Sequence, residues 1–421
     1  MEDKDWLRYL FHARRIKSIG VERPGTTTSE FKFRLHPDTS AVLLPILPDT
    51  CPSLVHLDIC SSIEPPTAVV ASSAVMFEDD HLQTLAINGT LFEQALTRLG
   101  YLTKLRSLEI HRESRVTVGD DNSLQRLTLS RLPRRRYLFP ALQSLLFSAS
   151  SLYTCTNLIR SIRSRKLELL SLIVDRSFSD DDEYDDASRL FSLLGSENDP
   201  YPLLTHISIR DLQPAHKVHT VHVLYRSLPK LTSITNTTLQ PLLTLSNLTV
   251  LDINPLLCSF DLDDGFLFLM ATSWPSLQTL FLGHIFGWHS TSNITLNGLV
   301  PLVTYCPDLQ NLGIVIDATL DPTPFNDDGP INDKITCLHL GDSTPSSDPY
   351  PWHVAQFLSD LFPGLLNIYV SPPNAQNSLA WGTVEDMVWE LGEFGEIESM
   401  GDMWGDTWGD LWGDLWGDTG T

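Results

Sequence analysis

The sequence predicts an α/β fold in which short parallel strands stack side by side into one curved sheet backed by helices. Three observations predict it. A triplet of the form apolar-x-x-apolar-x-apolar returns along the chain, prolines stand two residues ahead of several copies, and segments with helical spacing lie upstream of several others.

The triplets set the strands. They run Ile16-Ile19-Val21, Leu54-Leu57-Ile59, Leu82-Leu85-Ile87, Leu105-Leu108-Ile110, Leu124-Leu127-Leu129, Leu142-Leu145-Phe147 and Leu167-Leu170-Leu172. They continue as Leu204-Ile207-Ile209, Leu248-Leu251-Ile253, Leu277-Leu280-Leu282, Leu309-Leu312-Ile314, Ile335-Leu338-Leu340 and Leu365-Ile368-Val370, with Leu231-Ile234-Asn236 as a degraded copy. The mean step of about 27 residues falls within the roughly 20–29 of leucine-rich repeats. Steps vary from about 17 to 38, so the segments outside the strands are expected to be irregular.

In each copy the last two apolar residues sit two apart and share one strand face, while the residue between them points to the other. One such unit cannot bury its apolar face alone, and stacking the units makes a continuous core. The architecture predicted is a leucine-rich-repeat solenoid over residues 1–392, its curved parallel sheet on the concave side and its helices on the convex side.

Pro52, Pro140, Pro229, Pro275, Pro307 and Pro363 each precede the first leucine of a copy by two residues, where they can end a helix and turn the chain into a strand. The segments 92–100, 151–165, 187–195 and 352–361 carry apolar residues three and four apart and are read as helices, the first and third closed by Gly100 and Gly195.

Residues 393–421 contain a Gly-Asp-x-Trp repeat that places Trp404, Trp408, Trp412 and Trp416 four apart. A glycine in each tetrad costs a helix about 1 kcal/mol relative to alanine, so this tail is read as disordered.

Composition narrows the functional classes. The 42% of hydrophobic residues supply an ample core. No apolar run is long enough to span a membrane, and the charged start does not resemble a secretory signal, so an intracellular location, cytoplasmic or nuclear, is expected. Residues 1–170 hold 22 Lys and Arg against 18 Asp and Glu, whereas residues 171–421 hold 7 against 34. Nucleic acid is not the expected partner of so acidic a chain, because displacing counterions from phosphates needs a basic face.

The six cysteines are scattered, with no CxxC pair, so neither a zinc site nor a disulfide framework is predicted. His216, His219 and His222 lack companion ligands and read as rim histidines. The acidic run 179–186 reads as a solvated loop capping the helix that follows. The basic stretch 131–136, with Arg160, Arg163, Arg165 and Lys166, reads as charged outer loops, with an acidic-partner or phosphate site as the alternative. No nucleophile elbow, phosphate loop, kinase signature or HExxH is present. No catalytic residue, cofactor or metal is therefore expected, and the chain reads as a non-enzyme.

The phrases FPALQSLLF (139–147), WPSLQTLFL (274–282) and CPDLQNLGIVID (306–317), and the start DWLRYLFHARRIKSIGV (5–21), resemble the leucine-rich region of the large fungal, especially mushroom-forming, F-box protein family. The likeness covers residues 4–392. It implies a substrate-holding repeat region that presents a protein for ubiquitin transfer by a cullin-based ligase. The family's F-box itself has no counterpart before Asp5, so a Skp-type adaptor is expected as a partner only if an F-box lies upstream. The alternative is a free-standing interaction scaffold with no ubiquitin-ligase role.

If the register of the triplets holds, the outward strand residues make a partner-binding face. Asp58, Glu109, Asp252, Phe281, His339 and Tyr369 stand between the inward pairs, as do Thr128 and Ser208. Arg126, His206, Arg210 and Asn311 extend the face, together with His56 and Asn367. Mixed polar and aromatic positions of this kind suit the recognition of a protein partner, whose identity the sequence does not name.

Overall fold

Among the described residues, twelve strands lie side by side, all parallel, in one sheet. This computed structural model describes residues 18–19, 51, 54–59, 81–88, 96, 99–111, 138–149, 151–162, 164–174, 186–196, 201–211, 232–255, 258–285, 287–288, 290–323, 329–345, 351–370 and 375–393. The first seven strands are β1 (Ser18–Ile19), β2 (His56–Ile59), β3 (Thr84–Asn88), β4 (Ser107–His111), β5 (Ser144–Ala149), β6 (Leu169–Val174) and β7 (His206–Asp211). After them β8 (Thr232–Thr235) and β10 (Cys258–Asp261) form a separate parallel pair. The main sheet continues through β9 (Val250–Asn254), β11 (Thr279–Leu282), β12 (Asn311–Gly313), β13 (Cys337–Gly341) and β14 (Asn367–Val370).

The register follows the triplets. Their middle residues pair in unbroken succession across the sheet: Ile19, Leu57, Leu85, Leu108, Leu145, Leu170, Ile207, Leu251, Leu280, Leu312, Leu338 and Ile368. Because strand side chains alternate, the last residue of each triplet joins the middle one on the buried face. From Leu57 to Ile368 the middle residues belong to one hydrophobic core that runs from Cys51 to Val388 and includes the apolar sides of the helices.

One expected place in the sheet is corrected, and one expected strand lies outside the described residues. Ser107 pairs with Ser144, so β4 and β5 are direct neighbours and no rung stands between them. The triplet Leu124-Leu127-Leu129, expected there, lies outside the described residues. The degraded copy at Ile234 does form a strand, β8, yet β7 pairs directly with β9, and β8 pairs with β10 instead. Asn236 in place of the third apolar residue explains the exclusion, since an amide would otherwise enter the core.

The prolines act through a turn. Pro140, Pro275, Pro307 and Pro363 each occupy the second position of a four-residue turn, closed by the N–H of the first triplet leucine. Leu142 donates to the Phe139 carbonyl at 3.3 Å, Leu277 to Trp274 at 3.1 Å, Leu309 to Cys306 at 3.1 Å and Leu365 to Phe362 at 2.9 Å. Proline's fixed φ is preset for that position. The residue before it is buried in every case, which pins the turn to the core.

The helices are α1 (Leu152–Ser161), α2 (Asp186–Leu194), α3 (Asn236–Leu239), α4 (Asp264–Ser273), α5 (Val300–Tyr305), α6 (Trp352–Leu361) and α7 (Ala375–Glu393). Helix α1 starts where the Ser151 hydroxyl accepts the Thr154 N–H at 3.2 Å, and α4 where Asp263 accepts that of Phe266 at 2.8 Å, both side-chain caps. Helices were expected at 151–165, 187–195 and 352–361, and α1, α2 and α6 stand there. Of the helix expected at 92–100, Leu96 and Leu99 are helical and Gly100 lies in a turn, the other residues being outside those described.

Helix α7 closes the end of the sheet. Trp381, Val384 and Val388 bury one side of it, and the Trp381 indole donates to the Ser343 carbonyl at 3.2 Å. Glu385 accepts the Ile368 N–H of β14 at 3.0 Å, so a backbone donor on the last strand is satisfied by the covering helix. Among the described residues no helix is long and apolar enough to cross a membrane.

Candidate functional site

The face of the sheet opposite the core carries the residues between the inward pairs. In register they read Asp58, Ala86, Glu109, Leu146, Ser171, Ser208, Asp252, Phe281, Gly313, His339 and Tyr369. Of the residues expected to form a partner-binding face, Glu109, His206, Arg210, Asp252, Phe281, Asn311, His339 and Tyr369 all stand in strands of this sheet. Asp58 takes its register position in β2, and Arg126 lies outside the described residues. Glu109 is remote from the others, in β4, where its carboxylate faces His111 Nε2 at 3.4 Å.

Two clusters form where β7 through β14 meet. In the polar one, Asp252 is buried beneath Arg210, whose guanidinium pairs with its carboxylate. Ser208 Oγ donates to Asp252 Oδ2 at 3.1 Å, and the amide of the buried Asn254 donates to the other carboxylate oxygen. Asp252 thus differs from the exposed contact residue that strand alternation alone suggests: its neighbours on β7 and β9 cover it. Arg210 keeps 53% of its side chain in solvent and is the group a partner meets.

The second cluster is aromatic. Phe281, His339 and Tyr369 come from β11, β13 and β14, and His284 reaches them from the loop after β11. The ring centroids of Phe281 and His284 are 4.3 Å apart, those of His284 and His339 5.2 Å, and those of His339 and Tyr369 4.9 Å in a stacked pair. Gly313 makes the arrangement possible. A Cβ there would stand 2.7 Å from Phe281 Cδ1 and 2.8 Å from His284 Cγ, too close for either ring to stay in place.

A loop joins the clusters. The N–H of Ile285 donates to Asn254 Oδ1 at 3.3 Å, tying the polar cluster to the residue next to His284. Further along, the Trp288 N–H donates to Asp342 Oδ1 at 2.7 Å and its buried indole donates to the Leu282 carbonyl at 2.8 Å. Gly287, at φ +78°, lets the chain pass so close to Asp342 that any Cβ would fall 2.2 Å from its carboxyl carbon.

Burial sets the charge state of the imidazoles. It pushes His284 down to about 3, with His339 and then Arg210 adding to the effect. Burial also lowers His339. His206 is lowered mainly by burial, with Asp252 opposing and Arg210 assisting. At neutral pH the cluster is therefore uncharged, an aromatic ledge beside a half-exposed guanidinium. Tyr369, 50% exposed, ends it. Such a surface binds by stacking, apolar contact and bidentate hydrogen bonding.

His284 and Asn254 are the residues that the triplet pattern does not reach. The signal for His284 is the pair of glycines bracketing GHIFG (283–287), which breaks the run after the strand and lets a loop fold back. His216, His219 and His222, the basic stretch 131–136 and residues 394–421 of the tail lie outside the described residues, as does the acidic run except for Asp186. Among the described residues no group of three His, Cys, Asp or Glu could hold a metal ion. No protein-family model matches the chain, and no curated protein matches it.

Proposed function

We propose that the chain is a leucine-rich-repeat solenoid that recognises a protein partner non-covalently on its outward strand face. The observation that carries the reading is the row running from Ser208 over Asp252 to Phe281, His339 and Tyr369, fixed by strands in one register, with Arg210 two residues along β7 pairing onto Asp252. Aromatic rings and arginine on a rigid surface are the residue types that concentrate binding energy at protein interfaces. In this reading the protein carries no chemistry of its own. The F-box resemblance makes the partner a substrate held for ubiquitin transfer, and a free-standing scaffold is the alternative.

The test is capture on the immobilised full chain from native extract, followed by identification of bound proteins. Tyr369→Ala, Phe281→Ala and Arg210→Glu should each lose the partner that the parent chain retains, while Tyr153→Ala on α1, an exposed ring away from this face, should keep it. Retention of every partner by the three face variants overturns the reading. A Skp-type adaptor among the captured proteins supports the ubiquitin-ligase role, and its absence beside a retained partner supports the scaffold.

A further inference from the structure

Four successive strands of the main sheet are each preceded by a polar residue whose backbone continues the ladder. Arg106 N–H donates to the Gln83 carbonyl at 2.8 Å, Gln143 N–H to Arg106 at 2.7 Å and Glu168 N–H to Gln143 at 2.8 Å. The side chains of three of them, Gln83, Arg106 and Gln143, stand about one strand spacing apart, roughly 5 Å, at the rim where β3, β4 and β5 begin. A cleft of about 310 Å³ opens there, lined by these three together with Thr103, Lys104, Ala141 and Lys166.

The charge of this cleft is the reverse of the molecule's. Three cations from two different connecting turns converge on it and, among the described residues, no carboxylate lines it, although the whole chain carries a net −23. Glu168, the nearest acid along the row, accepts from Gln143 Nε2 at 3.4 Å and does not line the cleft. Among the described residues neither Lys104, Arg106 nor Lys166 makes an ion pair with a carboxylate. Three like charges around one hollow raise the local positive potential and draw an anion to it.

We propose that this cleft is an oxyanion site that takes a phosphate monoester. Such a group brings up to two negative charges and three terminal oxygens, which match one guanidinium fork, two ammonium groups and the carboxamide donor of Gln83. A carboxylate, with one charge and two oxygens, leaves cations unmatched. The cleft's volume, at the small end of ligand pockets, holds the phosphate and the first atoms of whatever it esterifies. The site is separate from the aromatic and polar clusters on the strand face and does not depend on the function proposed for them.

The experiment is calorimetric titration of the full chain at constant ionic strength with inorganic phosphate, with a short peptide carrying one phosphoserine between glycines, and with the same peptide unphosphorylated. Saturable binding of the phosphopeptide or of inorganic phosphate is expected, with the unphosphorylated peptide silent. Tighter binding of the phosphopeptide identifies a phosphorylated side chain as the ligand source, and equal binding identifies free phosphate. Arg106→Gln and Lys166→Gln, both exposed and harmless to the core, should each weaken binding about tenfold. Lys334→Gln, at a remote surface lysine, should leave it unchanged. The proposal is overturned if no phosphate probe saturates, if the two cleft variants bind like the parent, or if the remote variant weakens binding as much as they do.

Discussion

His284 rests against His339 with ring centroids 5.2 Å apart and planes at 66°, and the two imidazoles reach that contact from different parts of the chain, one from a loop and one from a strand. Neither can take a proton without placing positive charge in a half-buried aromatic setting beside the other.

The first prediction follows from that contact. His284 is held at about 3 in the folded protein against 6.5 for a free imidazole, so the unfolded chain binds a proton that the native one refuses. Stability is then complete above about pH 6.5 and declines as the pH falls toward 3, the sign expected for a histidine with a depressed folded value. His339 and His206 add in the same direction. Urea unfolding at pH 7.5 and pH 5.0 should show a loss on the order of 1 kcal/mol, and His284→Gln should flatten that dependence. Equal pH dependence in the variant would remove His284 as its source.

How much of this was legible in the sequence differs from residue to residue. Leu57, Leu85 and Leu108 announced their register because a buried strand face demands apolar residues two apart, and that demand leaves a periodic trace. Leu124-Leu127-Leu129 carries the same trace, yet β4 pairs with β5 directly; a local pattern states what can be buried, not which neighbour it pairs with. Asp252 was legible as an outward residue and not as a buried one, because its burial depends on Arg210 and Asn254 folding over it. His284 and Trp381 act through contacts with Gly313 and Ser343, far along the chain, and such distant meetings leave no periodicity.

Gly313→Ala should disturb the aromatic ledge more than its size suggests. The new methyl would lie 2.7 Å from Phe281 Cδ1 and 2.8 Å from His284 Cγ, and the strand backbone leaves it no other place. Overpacking of this kind costs about 1–3 kcal/mol. Chemical denaturation should register the loss, and the Tyr369-dependent partner should bind more weakly. A variant as stable as the parent would show that the rings can move aside.

Removing Arg210 should destabilise the fold through the carboxylate it covers. Arg210→Ala leaves the Asp252 carboxylate buried with only Ser208 and Asn254 to satisfy it. A buried charge stripped of its partner costs about 3 kcal/mol, less here because two neutral hydrogen bonds remain. Comparing urea midpoints of the two proteins at pH 7 measures it, and an unchanged midpoint would mean that Asp252 does not bear an uncompensated charge.

Helix α7 is expected to protect the sheet as well as to stabilise it. Trp381 buries its ring in the common core and donates to Ser343, while Glu385 occupies a backbone N–H of β14. Trp381→Ala should cost about 3–5 kcal/mol as a large buried side chain lost from the core. Glu385→Ala, which frees one edge donor and leaves the core intact, should cost only about 1 kcal/mol. The two differ in a second readout. Loosening the helix exposes the parallel edge of β14 to pairing with another chain, so Trp381→Ala should increase light scattering at concentrations where the parent stays clear, and Glu385→Ala should do so far less. Scattering that rises equally in both variants would assign the protection to the single hydrogen bond rather than to the packed helix.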